Sequence, residues 1–220
     1  MFDREFVEPR EAVGMTALGQ FRALDDPDRF VWLRGFDGMP SRAEALESFY
    51  GGPVWQAHRD KANATMTDSD DVLLLWPASV RGGFPVPAGA RQAAGEPAAS
   101  STPLGLATVR YGHGPFDTAF VEFFEQRVRP VPAGAGGEPP AYLRSEDAPN
   151  TFPALPVRAN EEVFVWFARF TGEDHLDDRL NRLQHSEHWR EEVLPPLSKR
   201  WARPPRQRLR PTPTERSVLR

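Results

Sequence analysis

FVWLRGF at positions 30–36 returns as FVWFARF at positions 164–170, an offset of 134 that also carries Leu46 onto Leu180, Phe49 onto Leu183, Trp55 onto Trp189, Leu75 onto Leu209 and Pro77 onto Pro211. The chain has six tryptophans, and two pairs of them share this one spacing. Self-similarity at a fixed period is the signature of one supersecondary unit written twice. A second offset, of 121, pairs Phe2 with Phe123, Val7 with Val128 and Pro9 with Pro130. The two offsets differ by 13, which places an insertion of that size in the second copy, within AGAGGEPPAYLRSEDAPNTFPALP. The reading is a first repeat over 1–77, a Pro/Gly/Ala-rich linker over 78–103 with little to bury, and a second repeat over 104–220.

Local patterns give each unit its elements. In the first, 2–12 has helical spacing and Gly14 is a fair stop. Positions 15–22 and 29–36 read as strands around the turn DDPD. Helices follow over 40–50 and 54–66, split by Gly51, Gly52 and Pro53, and then a short strand over 70–76 closed by Pro77. The second unit repeats this order and adds a strand, GLATVRY at 105–111, ahead of its first helix over 116–128.

The full unit is therefore βαββαβ, the ferredoxin-like pattern, whose first strand lies inside the sheet. The first copy has no residues for that strand, and the expectation is a chain short at its N-terminus; the alternative is divergence, with the linker or a partner chain filling the gap. Phe30, Trp32 and Phe36 on one side and Val31 and Leu33 on the other make the strand at 30 apolar on both faces, as for a sheet covered on both. The expected fold class is α+β: two tandem ferredoxin-like repeats packed as an intrachain α+β barrel, the first repeat lacking its N-terminal strand.

Composition excludes more than it assigns. With Cys 0, disulfides, thiolate metal sites and thiol nucleophiles are absent together. A net charge of −4 gives no global attraction to nucleic acid, and no apolar run approaches the roughly 20 residues of a membrane span. The expected location is cytoplasmic, and the preference for Arg over Lys, with abundant Ala, Gly and Pro, suits a GC-rich bacterial genome.

DDPDRFVWLRGF, FYGGPVWQAHRDKANATM and DSDDVLLLWP closely resemble the NIPSNAP family across positions 2–77; the second copy is similar more weakly, through FVWFARF and HWREEVLPPL. The resemblance implies the dimeric α+β barrel fold. It implies no defined reaction: the family has no agreed enzymatic activity, and its eukaryotic members are associated with mitochondria and protein interactions.

Arg34 shares a strand face with Trp32 and two Phe residues; its planar fork suits a ligand carboxylate, the alternative being an Arg lying over aromatic rings. Trp55, His58, Arg59 and Asn63 follow one side of a helix and offer an aromatic wall, a titratable imidazole and an amide. Set against them is the reading in which Trp55 is core and His58 and Arg59 pair at the surface. His185 and His188 lack a third ligand, so no metal is expected, nor any cofactor. Asp25, Asp26 and Asp28 read as turn chemistry, and Arg206, Arg208 and Arg210 as the wet side of an edge strand. The functional expectation is binding of a small, partly apolar molecule in the barrel interior. Alternatives are a cofactor-independent monooxygenase or isomerase with His58 as acid/base and Arg34 and Asn63 orienting the substrate, or a non-catalytic interaction scaffold; a homo-oligomer is compatible with each.

Overall fold

The structure, a computed structural model, describes residues 1–85, 104–133 and 140–219. It is a mixed α+β molecule with two antiparallel sheets. The chain opens with two short helices, α1 (Phe2–Glu5) and α2 (Val7–Glu11), where one helix was predicted. They join at Phe6, whose φ of −116° departs from helical geometry. An antiparallel hairpin follows, β1 (Thr16–Ala23) and β2 (Phe30–Gly35).

Helix α3 (Met39–Gly51) starts with a proline in its first turn and buries Arg42, Ala45, Leu46 and Phe49, the i, i+3, i+4, i+7 stripe of an amphipathic helix. Gly52 then turns the chain into α4 (Pro53–Asn63); a Cβ there would lie 2.8 Å from the Ser48 carbonyl oxygen, so the tight junction requires glycine. Strand β3 is only Leu75–Pro77, shorter than the predicted 70–76. The residues before it make isolated backbone bonds instead: Arg158 N–H donates to the Val72 carbonyl and Glu146 N–H to that of Leu74.

The second half runs β4 (Leu104–Gly112), α5 (Thr118–Phe123), a π turn over Phe124–Val128, α6 (Pro130–Ala133), β5 (Ala141–Ser145), β6 (Val163–Phe170) and α7 (Glu173–His185). A second π turn over Trp189–Val193, then α8 (Leu194–Ser198), β7 (Trp201–Leu209) and β8 (Pro211–Pro213), complete it. Asp117 caps α5, its carboxylate accepting from Phe120 N–H at 2.8 Å. Both ends of α3 map onto both ends of α7 at the offset of 134 seen in the sequence.

The larger sheet has the order β3-β5-β6-β4-β7 and the smaller β2-β1-β8. Each sheet draws on both halves of the chain, because β3 from the first half pairs with β5 in the larger sheet and β8 from the second half pairs with β1 in the smaller. Among the described residues β2 has a strand on one side only, whereas β6 is paired on both.

Phe164 and Trp166 of β6 face the helices, in a cluster with Phe116, Phe120, Phe124, Val128 and Tyr142. Val163 and Val165 face the other way, with Val109 and Tyr111, and meet Leu73 and Leu75 rather than strands of the smaller sheet. A third cluster packs α1–α2, α3 and α4 with Phe152 and Leu155 of the long β5–β6 connection.

The predicted linker falls outside the described residues from position 86 onward. Its first residues are held against β5: Ala78 N–H donates to the Tyr142 carbonyl and Tyr142 N–H to that of Gly82. The predicted insertion is outside the description at 134–139. Among the described residues no helix is long and apolar enough to cross a membrane.

Candidate functional site

The face of β2 that carries Trp32 and Arg34 looks into the helical layer. Phe2 packs its ring 5.2 Å from Trp32, and two guanidiniums, Arg10 from α2 and Arg34 from β2 itself, lie 4.2 and 4.3 Å from the same indole. Arg10 also lies 4.4 Å from the Phe2 ring and 4.7 Å from Phe49. Gln20 is opposite Trp32 in the strand register and therefore on the same face of the sheet. Beyond Arg10 the aromatic wall continues through Phe6, Phe49, Tyr50 and Trp55, with Tyr50 and Trp55 at 4.8 Å.

Burial is what sets this layer apart. Arg10 is 3% exposed, Arg42 2% and Gln20 0%. Arg42 donates from Nη1 to the side-chain oxygens of Asn150 at 3.0 Å and Thr151 at 3.3 Å. The remaining polar atoms are less well provided for: Arg10 Nε and Nη1, Arg34 Nη1, Arg42 Nη2 and both amide atoms of Gln20 are sealed from solvent with no hydrogen-bond partner among the described residues. Buried polar groups are nearly always satisfied, so six such atoms on one side of one hairpin call for an explanation.

The electrostatics agree. Burial pushes the Arg10 guanidinium down to about 10, Tyr50 opposing the shift and Arg34 adding to it. Burial also lowers Arg34, against the Tyr50 hydroxyl, and lowers Arg42, with Arg34 adding to it and Tyr50 opposing. None of the groups shifting these three is a carboxylate, and all three respond to the same hydroxyl. A buried charge is ordinarily paired. Here three positive charges share one compartment with one another.

The structure thus brings three of the sequence candidates together, Trp32, Arg34 and Trp55. His58 stands at the rim, its ring 6.0 Å from Phe6 and its Nε2 3.7 Å from the Glu5 carboxylate. Arg59 and Asn63 are exposed, Arg59 bonding to Gln56 at 3.1 Å and lying 3.4 Å from Asp60. Trp32 and Arg34 stand on a strand face that looks into the helices, whereas the sequence reading expected a site in a barrel interior; strand alternation sets the face, and the pattern of one strand does not say which face the helices cover.

Sequence reasoning missed Arg10, Arg42, Gln20 and Tyr50. A signal existed: Arg10 continues the Phe2, Phe6 stripe at i+4, and Arg42 opens the stripe of α3, so each is an arginine on an apolar face.

A second polar group lies in the other half. Tyr142, fully buried, donates its hydroxyl proton to Glu125 on the first π turn, while Ser79 donates to the same carboxylate at 2.6 Å and Arg81 lies 3.6 Å away. The Ser79 and Tyr142 hydrogen bonds hold Glu125 below its usual range, and burial, then Glu125, raises Tyr142. This group is satisfied internally. At the other histidines, His185 Nδ1 contacts the Asn181 carbonyl at 2.7 Å and His188 contacts Glu192 at 3.3 Å, and the described residues contain no group of three side chains that could hold a metal.

Comparison with known protein-family models and with curated proteins finds no match for this chain.

Proposed function

We propose that this protein binds a small, anion-bearing and partly apolar molecule between the β1–β2 sheet and the helices above it. One observation carries the reading: Arg10 and Arg42 are buried, Arg34 is half-buried with its Nη1 sealed, and none of the three forms an ion pair with a carboxylate among the described residues. Desolvating an ion costs several kcal/mol even after relaxation, so uncompensated arginines are maintained against folding stability. A ligand anion supplies the missing counter-charge, and the surrounding Phe2, Trp32, Phe49, Tyr50 and Trp55 suit an apolar body. His58 is engaged with Glu5 at the rim, so the role assigned to this layer is binding, and none of its groups is given a catalytic part.

We likewise propose that the two halves are related ferredoxin-like units. The order β5-β6-β4-β7, with the two helical segments on one face, supports a ferredoxin-like second unit. The edge pairings β3 on β5 and β8 on β1 support two related halves closed into an α+β barrel. That architecture suits the NIPSNAP resemblance of the first 77 residues, in a bacterial, cytoplasmic protein.

The test is native mass spectrometry of the purified protein beside its Arg10→Met and Arg34→Ala variants. A retained small molecule that fragments with an anionic group, present on the parent and absent from both variants, is the expected result. A parent that carries nothing and shows no thermal shift with any of a panel of millimolar organic anions would end the reading.

A further inference from the structure

We infer that the head group taken by this layer is a tetrahedral dianion of the phosphate monoester class, and not a monocarboxylate. The inference rests on the anion-binding reading above and deepens it. Three features argue for it, each independent of the fold assignment.

The first is direction. The donors come from three separate elements, Arg10 from α2, Arg34 from β2 and Arg42 from α3, and each has at least one solvent-sealed N–H without a partner. Arg10 and Arg34 stand 4.2 and 4.3 Å from the same Trp32 ring, and Arg42 opens the buried stripe of α3 that packs in the same layer. A carboxylate offers two oxygens in one plane and is met best by one bidentate arginine. Three terminal phosphate oxygens diverge from one atom and can each meet a donor from a different element.

The second is charge. Two guanidiniums lie within 4.3 Å of one indole and a third is buried in the same layer, and none of them has a carboxylate ion pair among the described residues. A monoanion leaves two of them uncompensated, and a dianion leaves one. A phosphate monoester carries close to two negative charges at neutral pH, its second ionisation lying near about 6.

The third is the neighbouring amide. Gln20 is fully buried, with Nε2 and Oε1 both unpartnered, on the sheet face shared with Trp32 and Arg34. An amide can donate to a phosphate oxygen with Nε2 and accept a proton from an ester or hydroxyl group with Oε1. Aromatic rings line the rest of the layer, so the ester is expected to carry an apolar or aromatic substituent.

Isothermal titration calorimetry of the full chain with phenyl phosphate, inorganic phosphate and benzoate separates the possibilities. At pH 8, phenyl phosphate is expected to bind at least tenfold more tightly than benzoate, with inorganic phosphate between them. At pH 5, where phenyl phosphate is a monoanion, its advantage is expected to fall about tenfold. Arg10→Met and Arg42→Leu are each expected to weaken phenyl phosphate at least tenfold, with guanidinium chloride unfolding reporting that both remain folded; Gln20→Leu, which keeps the side-chain volume, is expected to weaken it about threefold. Benzoate binding as tightly as phenyl phosphate at pH 8 overturns the dianion assignment and leaves the anion site standing. No heat and no thermal shift from any of the three probes overturns both.

Discussion

Between α1–α2, α3 and the β1–β2 sheet the molecule buries Arg10 and Arg42 and half-buries Arg34; at 121 positions beyond Arg10 and 134 beyond Arg42 and Arg34, the second half holds Val131, Leu176 and Ala168, all packed in apolar clusters. The frame around these positions is alike. Trp32 and Trp166 each stand on a strand face that looks into helices, and α3 and α7 have matching ends. What differs is the filling. The second interface satisfies its one fully buried phenol with Glu125 and Ser79, whereas the first leaves at least one sealed N–H on each of its three guanidiniums without a hydrogen-bond partner. Charge at three positions whose counterparts at these offsets are apolar is the difference on which the proposed anion site rests.

Stability should divide along the same line. Phe164 is fully buried and packs on Phe116, Phe120, Phe124 and Tyr142, with ring centroids from 4.8 to 6.5 Å. Phe164→Ala is expected to lower the free energy of unfolding by about 3–5 kcal/mol, the usual cost of deleting a core phenyl ring. Urea denaturation followed by tryptophan fluorescence measures it. A loss below ~1 kcal/mol would mean that the second interface is not the stabilising one, and the contrast between the halves would fall.

The opposite sign is expected at Arg10. Replacing a buried, uncompensated charge with an apolar side chain of similar length is expected to raise stability by about 1–3 kcal/mol in Arg10→Met, while abolishing anion binding. The pH dependence follows from the direction of its shift. The folded-state value of about 10 lies below the ordinary arginine range, so the folded state disfavours the proton, and its penalty is complete below pH 10 and relieved as pH rises above it. The gap between variant and parent should therefore be flat from pH 6 to 9 and narrow above pH 10. A destabilised Arg10→Met protein would show that the chain itself supplies the partner.

Tyr142 provides the matched control in the other half. Tyr142→Phe removes one hydrogen bond to a charged acceptor and is expected to cost about 1–2 kcal/mol at neutral pH. Glu125 is held below its ordinary 4.5, so its contribution is present above that pH and is lost as pH falls through the lowered folded value. The difference between parent and variant should shrink in acid, as thermal melts between pH 7 and pH 3 would show. An undiminished difference at pH 3 would assign the effect to packing and not to the carboxylate.

How far these two interfaces could be foreseen follows from what each rests on. The α+β class, the strand at 30 and the apolar helix stripes come from local periodicity, and local periodicity is written in consecutive residues. Trp32, Arg34 and Trp55 were legible as a constellation because aromatic and cationic residues alternated on one strand and recurred on one helix. Arg10 and Arg42 were hidden by the same logic, since an arginine in a helix is normally a solvated one and only tertiary packing reverses that. Gln20 and Tyr50 depend on strand register and on the approach of α3 to the hairpin, long-range facts with no local signature. Arg59 and Asn63 were grouped with His58 on helical spacing, yet spacing fixes a side of the helix and not what covers it.

The smallest effect is expected where the halves meet. Arg210, between β7 and β8, donates from Nε to the Asp25 carboxylate at 2.9 Å and from Nη1 to Glu173 at 3.3 Å, and so ties the turn after β1 to the start of α7. Both carboxylates are at least half exposed, so water competes with the pairing and salt screens it. The backbone pairing of β8 on β1 and the contact of Leu24 with Leu104, Phe170 and Leu176 cross the same junction without depending on charge. Arg210→Ala should shift the urea midpoint less than Tyr142→Phe does, and the shift should vanish in 1 M sodium chloride. A larger shift that survives salt would mean that the two halves are held together by this ion pair more than by their strands, and the first half could then not be treated as an interface whose stability is set by its own buried charges.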